Sequence, residues 1–255
     1  MLQYIQIGSR WDINKTEIER FYFEAIEDLK KNKIQDFSKD IKCTKELIIE
    51  LIDEIYNEMK DSFGTMPDLR KNLKIIEFDD KKYMNGIFFY VNAMENGKLT
   101  GYLYFSSKYK YESVEQLKLK LVHEIYPGHH YMKTVKLNNS QSKNMFRLWK
   151  NDFLFEGWAK YCEYYYANKK GQELIFNSNL AFMSLMFILV MDIHFYGKLL
   201  NEVIRHAEEL GEIDTKQART LVINAYRDWE IHFNYYVGFN YLRKKEKISL
   251  KELIS

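Results

Sequence analysis

The stretch Leu121–Met132, LVHEIYPGHHYM, decides how the chain is read. It holds His123, His129 and His130, three of the six histidines, and sets Pro127, one of two prolines, among them. A histidine followed by a glutamate on a helix places a metal ligand beside a general base. The two side chains point about 100° apart, near enough for the carboxylate to take a proton from an activated water. The common spacing is H-E-x-x-H, with both histidines on one face at i and i+4. Here position i+4 from His123 is Pro127, which ligates nothing. Proline also lacks a donor and clashes with the carbonyl one turn back, so the helix is expected to bulge or kink. On a straight helix His130 returns to the face of His123 about 10.5 Å further along, too far for easy joint ligation. A two-residue bulge brings His129 round instead. The spacing favours His129 as second ligand and gives His130 a substrate-facing or supporting role; the reverse assignment stays open.

The next chemistry lies downstream in FEGWAKYCE, residues 155–163. Two histidines on zinc are often joined by a carboxylate from a following helix. Glu156 is that candidate, set beside Phe153 and Phe155, where an unpaired carboxylate would be costly. An acid favoured by the helix dipole is the plainer reading. Glu163, seven residues on, falls on the same face and can orient a ligand histidine through its second N–H. Cys162 points elsewhere and reads as core.

Outward from these segments the chain reads as mainly α with a small β-sheet. Residues 16–33 and 44–60 carry apolar residues at helical spacing, the second behind Thr44 as N-cap. Short aromatic and β-branched runs at 73–79, 86–94 and 101–107 read as strands, with Asn96-Gly97 as a turn. Ser113 with Gln116 opens the helix through the histidine cluster. Asp152 opens the next, which stops at Gly171. One long apolar helix is expected over roughly 178–210, then helices capped by Asp214 with Gln217 and by Ser249 with Glu252. A single domain over 1–255 is expected: N-terminal helices to 63, the sheet over 64–112, and a helical body from 113.

Composition narrows the classes. With 38 basic and 36 acidic residues the net charge is +2, which argues against bulk-charge nucleic-acid binding. The basic run at 243–247 reads as a solvated helix end. Two cysteines exclude a disulfide scaffold and a Cys₄ zinc site. The apolar run Leu180–Met191 is short of the ~20 residues a membrane span needs. The opening residues show no signal pattern, so the cytoplasm is the expected compartment, with no membrane partner.

VHEIYPGHH and EGWAKYCE together resemble the signature of the mostly bacterial domain-of-unknown-function family 885, with its H-E-x-x-P-G-H-H and E-G-W-A-x-Y-x-E segments. The match runs through His123, Glu124, Pro127, Gly128, His129 and His130, then Glu156, Gly157, Trp158, Ala159, Tyr161 and Glu163. VMDIH, with Asp192 and His194, is similar to a shortened V-D-x-x-L-H stretch of that family. FNYYVGFNYLR keeps Tyr235, Gly238 and Arg243 of its C-terminal segment without the Pro-Gly-Gln part. Members are commonly about twice this long. The family is similar to gluzincin metallopeptidases, so the resemblance implies a zincin-like helical fold and a zinc peptidase acting on short peptides. His123, His129 and Glu156 are then the Zn²⁺ ligands and Glu124 the general base. Tyr235 or His130 would steady the oxyanion, with Tyr236 and His232 as neighbours able to do so. Tyr126, Trp158 and Tyr161 are expected as pocket walls. Asp192 and His194 are expected to make structural hydrogen bonds, and Arg227 a surface salt bridge. Two alternatives stand beside this: a non-peptidase hydrolase, and a metal-binding but inactive scaffold or partner protein.

Overall fold

The computed structural model describes residues 13–35, 41–66, 69–78, 88–95, 98–106, 110–111, 113–138 and 152–244. The opening residues, the Asn96-Gly97 turn, the last expected helix and most of the basic run lie outside the described residues. In chain order the elements are α1 (Lys15–Lys31), β1 (Ile41–Lys42), α2 (Lys45–Phe63), β2 (Leu73–Glu77), β3 (Phe88–Glu95), β4 (Lys98–Phe105) and β5 (Lys110–Tyr111). Then come α3 (Val114–Glu124), α4 (His129–Asn138), α5 (Asp152–Lys170), α6 (Glu173–Val190), a π-helical turn (Met191–Phe195), α7 (Leu200–Gly211), α8 (Thr215–Arg227) and α9 (Trp229–Lys244). The protein is mainly helical with a small mixed sheet, the expected class.

The chain forms two compact units. One comprises Met1–Gln35, Lys150–Gly157 and Leu174–Glu246; the other comprises Asp36–Trp149, Trp158–Glu173 and Lys247–Ser255. In the second unit Thr44 caps α2 by accepting from the Leu47 amide, and α2 buries Ile48, Leu51, Ile52, Ile55 and Met59. The sheet order is β2-β4-β3, with β2 parallel and β3 antiparallel to β4. Tyr90, Leu103 and Phe105 alternate onto its buried face, as a period of two requires. Gly101 on β4 sits under the His130 ring. A Cβ there would lie 2.6 Å from His130 Nδ1 and 2.7 Å from Tyr90 Cε2, so only glycine lets the start of α4 come this close to the sheet.

In the first unit, Asn14 and Glu17 form a capping box on α1, which buries Ile18, Phe21, Tyr22 and Ala25. Phe23, off that stripe, is 64% exposed. The single helix expected over 178–210 is instead two. α6 is buried almost all round, the π-turn follows, and Gly197 at φ +63 lets the chain turn before α7. The apolar spacing continues across this break, but Asp192 gathers Tyr22, Lys198 and His206 around its carboxylate there and re-aims the backbone. The span Glu173–Phe195 is long and apolar enough to cross a membrane by length and composition. Yet 72% of that apolar window is buried within the protein, as in a core helix.

Candidate metal centre

The centre begins where α3 stops. Ile125 caps the helix, its amide reaching the Leu121 carbonyl, and the chain turns through Tyr126–Gly128 before α4 restarts at His129. The expected bulge is therefore a full break: α3 ends and a new helix begins. The Pro127 carbonyl, at the apex, accepts from Trp158 Nε1 at 2.8 Å and from Cys162 Sγ at 3.7 Å. α5 thus holds the turn in place, which explains why Trp158 and Cys162 are buried.

The break brings the two histidines together. The rings of His123 and His129 meet edge to face, centroids 4.6 Å apart at 83°. One ligand atom each from His123, His129 and Glu156 lie within 4.8 Å of one another. Glu156 is carried by the same turn of α5 as Trp158, two residues on, so the helix itself delivers the carboxylate. Oxygen and nitrogen ligands on a tetrahedral zinc at ~2.1 Å would stand about 3.4 Å apart. A bound of 4.8 Å on the trio is compatible with that spacing. Two imidazoles and one carboxylate are also the donor set that zinc takes in hydrolases.

The surroundings fix which atoms face inward. His123 Nδ1 donates to Glu163 Oε1 at 2.7 Å, so Nε2 is the ring nitrogen that could take a metal. Burial alone would raise the Glu163 carboxyl. The Lys160 ammonium at 2.8 Å and the His123 hydrogen bond overcome that and hold it at about 2. Glu124 is the last residue of α3 and is buried. Its charge is felt by Tyr90, whose hydroxyl is raised first by burial and then by that carboxylate.

His130 stands apart from the trio. It is fully buried, with Nδ1 2.9 Å from the Tyr90 hydroxyl. Burial lowers its pKa to about 4, so the ring is neutral. Through Tyr90 the His130 ring clamps α4 to β3. Tyr126 and Trp158 are likewise buried rather than pocket walls; Tyr126 donates to the Gly64 carbonyl. Tyr161 is half-buried. Tyr236 is buried and donates to Asp28 at 2.8 Å, so its hydroxyl is already committed. Tyr235 is half-buried on α9, one turn before Gly238. There α9 touches α5 backbone to backbone: a Cβ on Gly157 would lie 2.4 Å from the Gly238 carbonyl carbon.

Among the remaining candidates, Asp192 is buried and accepts three hydrogen bonds, with His206 rather than His194 as its histidine. His194 is exposed and stacks on Tyr226. Arg227 pairs with Asp228 at the surface, and Cys162 is core, as expected. The sequence reading missed Tyr90 and Lys160. Tyr90 sits in a strand of alternating residues, and Lys160 looks like any helix lysine; a lysine three residues before Glu163 was the available signal.

Known proteins bear on this arrangement. Two solved structures share the fold, both named "putative lipoprotein". The one from Colwellia psychrerythraea superposes with a TM-score of 0.62 at 18% identity, covering 93% of this chain and 46% of its own. The one from Shewanella oneidensis, of unknown function, gives 0.58 at 18% identity, covering 94% and 45%. This chain thus spans less than half the length of either. Their names do not point to the cytoplasm. A search of curated proteins finds no match. Residues 16–175 match the family described as "Bacterial protein of unknown function (DUF885)". With well over half of its length matched, and both histidine and glutamate segments inside the match, the chain belongs to the DUF885 family.

Proposed function

We propose that this chain is a zinc-dependent hydrolase of zincin-like design that cleaves a peptide bond in short peptides. The observation that carries the reading is the convergence of His123, His129 and Glu156 within 4.8 Å, with Glu124 next to the first ligand. His123, His129 and Glu156 would hold the zinc ion, which would supply Lewis-acid activation of water and of the substrate carbonyl. Glu163, accepting from His123 Nδ1, would leave Nε2 turned toward a bound ion. Glu124, about 100° round α3 from His123, takes the proton from the attacking water and returns it to the leaving amine. Tyr235 is the donor proposed for the oxyanion. A structural metal site has no use for a carboxylate base beside its ligand, which favours a hydrolase over an inactive scaffold.

The test joins metal content with one substitution. Purified protein should hold about one zinc per chain and cut a short-peptide library. Glu124→Gln keeps the side-chain shape but cannot accept the proton. Zinc content and melting temperature should stay the same while kcat falls by at least ~10². Zinc without any cleavage of peptides or simple esters favours the scaffold, and ester cleavage alone favours a non-peptidase hydrolase.

A further inference from the structure

We infer that Lys160 is a positioning residue for this centre, holding the Glu163 carboxylate against His123; the inference rests on the zinc reading above. Lys160 occupies a place that the E-G-W-A-x-Y-x-E segment leaves open, so the resemblance says nothing of it.

The geometry is specific. Lys160 and Glu163 stand three apart on α5, one turn, with side chains only 9% and 2% exposed. Lys160 Nζ reaches Glu163 Oε1 at 2.8 Å, and His123 Nδ1 reaches the same oxygen at 2.7 Å. One carboxylate oxygen therefore receives two donors, from α5 and from α3. With Lys160 in place, Oε1 cannot rotate away from His123 without breaking a charged hydrogen bond. The imidazole is thus held with Nε2 toward the trio.

Stability alone is a poor reason for a lysine here. Burying a charged pair costs about as much as it returns, and apolar residues of similar size often serve as well. A surface lysine bonded to an exposed glutamate would need no explanation, but this ammonium is withdrawn from water behind a candidate metal ligand. Outer partners of ligating histidines typically change metal affinity 10–100-fold when removed. Lys160 acts one bond further out, through the partner.

The experiment measures zinc affinity of the full chain by competition with a chelator, and the visible absorption of the Co²⁺-loaded protein, for wild type, Lys160→Met and Lys160→Arg. Lys160→Met should bind zinc about 10-fold or more weakly and broaden or shift the Co²⁺ bands. Lys160→Arg, which keeps a charged donor, should recover most of the affinity. Wild-type affinity and spectrum in Lys160→Met overturn the positioning role while leaving the zinc reading intact. Wild-type protein that binds neither metal overturns both. If Lys160→Met melts too early to assay, Lys160→Gln takes its place: zinc bound about 10-fold or more weakly supports the role, and wild-type affinity overturns it.

Discussion

His129 and His130 are adjacent in sequence and end in different environments. His129 joins the trio with His123 and Glu156, while His130 is packed between Tyr90 and the space left by Gly101. Their substitutions should therefore separate. His129→Ala is expected to lose zinc with little change in the melting of the metal-free protein. His130→Ala should retain the ligands but strand the buried Tyr90 hydroxyl and open a cavity, costing about 2–4 kcal/mol of stability. Metal analysis and thermal melting of both variants check this. Zinc lost from His130→Ala but kept by His129→Ala would reverse the assignment. The sequence carried the first half of this argument, since Pro127 ruled out i+4. It could not carry the second half, because the space over Gly101 is made by a strand about thirty residues away and no local pattern encodes it.

Elements were legible where caps and periodicity agree. Thr44 opens α2, Asp214 with Gln217 opens α8, and the three main strands overlap the expected runs, β3 ending one residue past its run and β4 starting three residues ahead of its own. The readings failed where a tertiary contact overrides local pattern. The Trp158 hydrogen bond to Pro127 helps turn a kinked helix into two, and Asp192 ends a helix that apolar spacing would continue. The meeting of α5 and α9 belongs to the same class, since neither Gly157 nor Gly238 announces its partner. That contact is tight enough to test. A Cβ on Gly157 would meet Gly238 backbone atoms at 2.4 and 2.5 Å, and backbone cannot swing aside as a side chain can. Gly157→Ala should thus force α9 from α5 and cost about 1–3 kcal/mol or more, despite the better helix propensity of alanine. Denaturant midpoints measure it. A neutral or stabilising substitution would show that the helices have room to part.

At the scale of the whole molecule, one carboxylate ties distant parts of the chain and should set how the protein meets acid. Asp192 is fully buried and accepts from Tyr22 of α1 at 2.9 Å, from Lys198 at 2.7 Å and from His206 of α7 at 2.6 Å. Burial pushes its pKa up, but the hydrogen bonds from His206, Lys198 and Tyr22 outweigh that, and the net displacement is downward. The sign follows from linkage. A carboxyl more acidic in the folded than in the unfolded chain adds stability above its unfolded pKa, ~3.9, and loses it as pH falls through the lower folded value. Asp192→Asn removes the charge at every pH and leaves Lys198 without its anion. At pH 7 the variant should be less stable by about 1.5–3 kcal/mol, the cost of losing hydrogen bonds to a buried charge, since the Lys198 left behind is partly exposed and can turn to water. Below pH ~4 the wild-type advantage should shrink, because Asp192 of the unfolded chain takes up its proton there before the folded one does. Urea midpoints of both proteins, followed from pH 7 down to the onset of acid unfolding, should converge. Curves that stay parallel would mean that Asp192 does not couple folding to protons, and that α1 and α7 are held together by apolar packing alone.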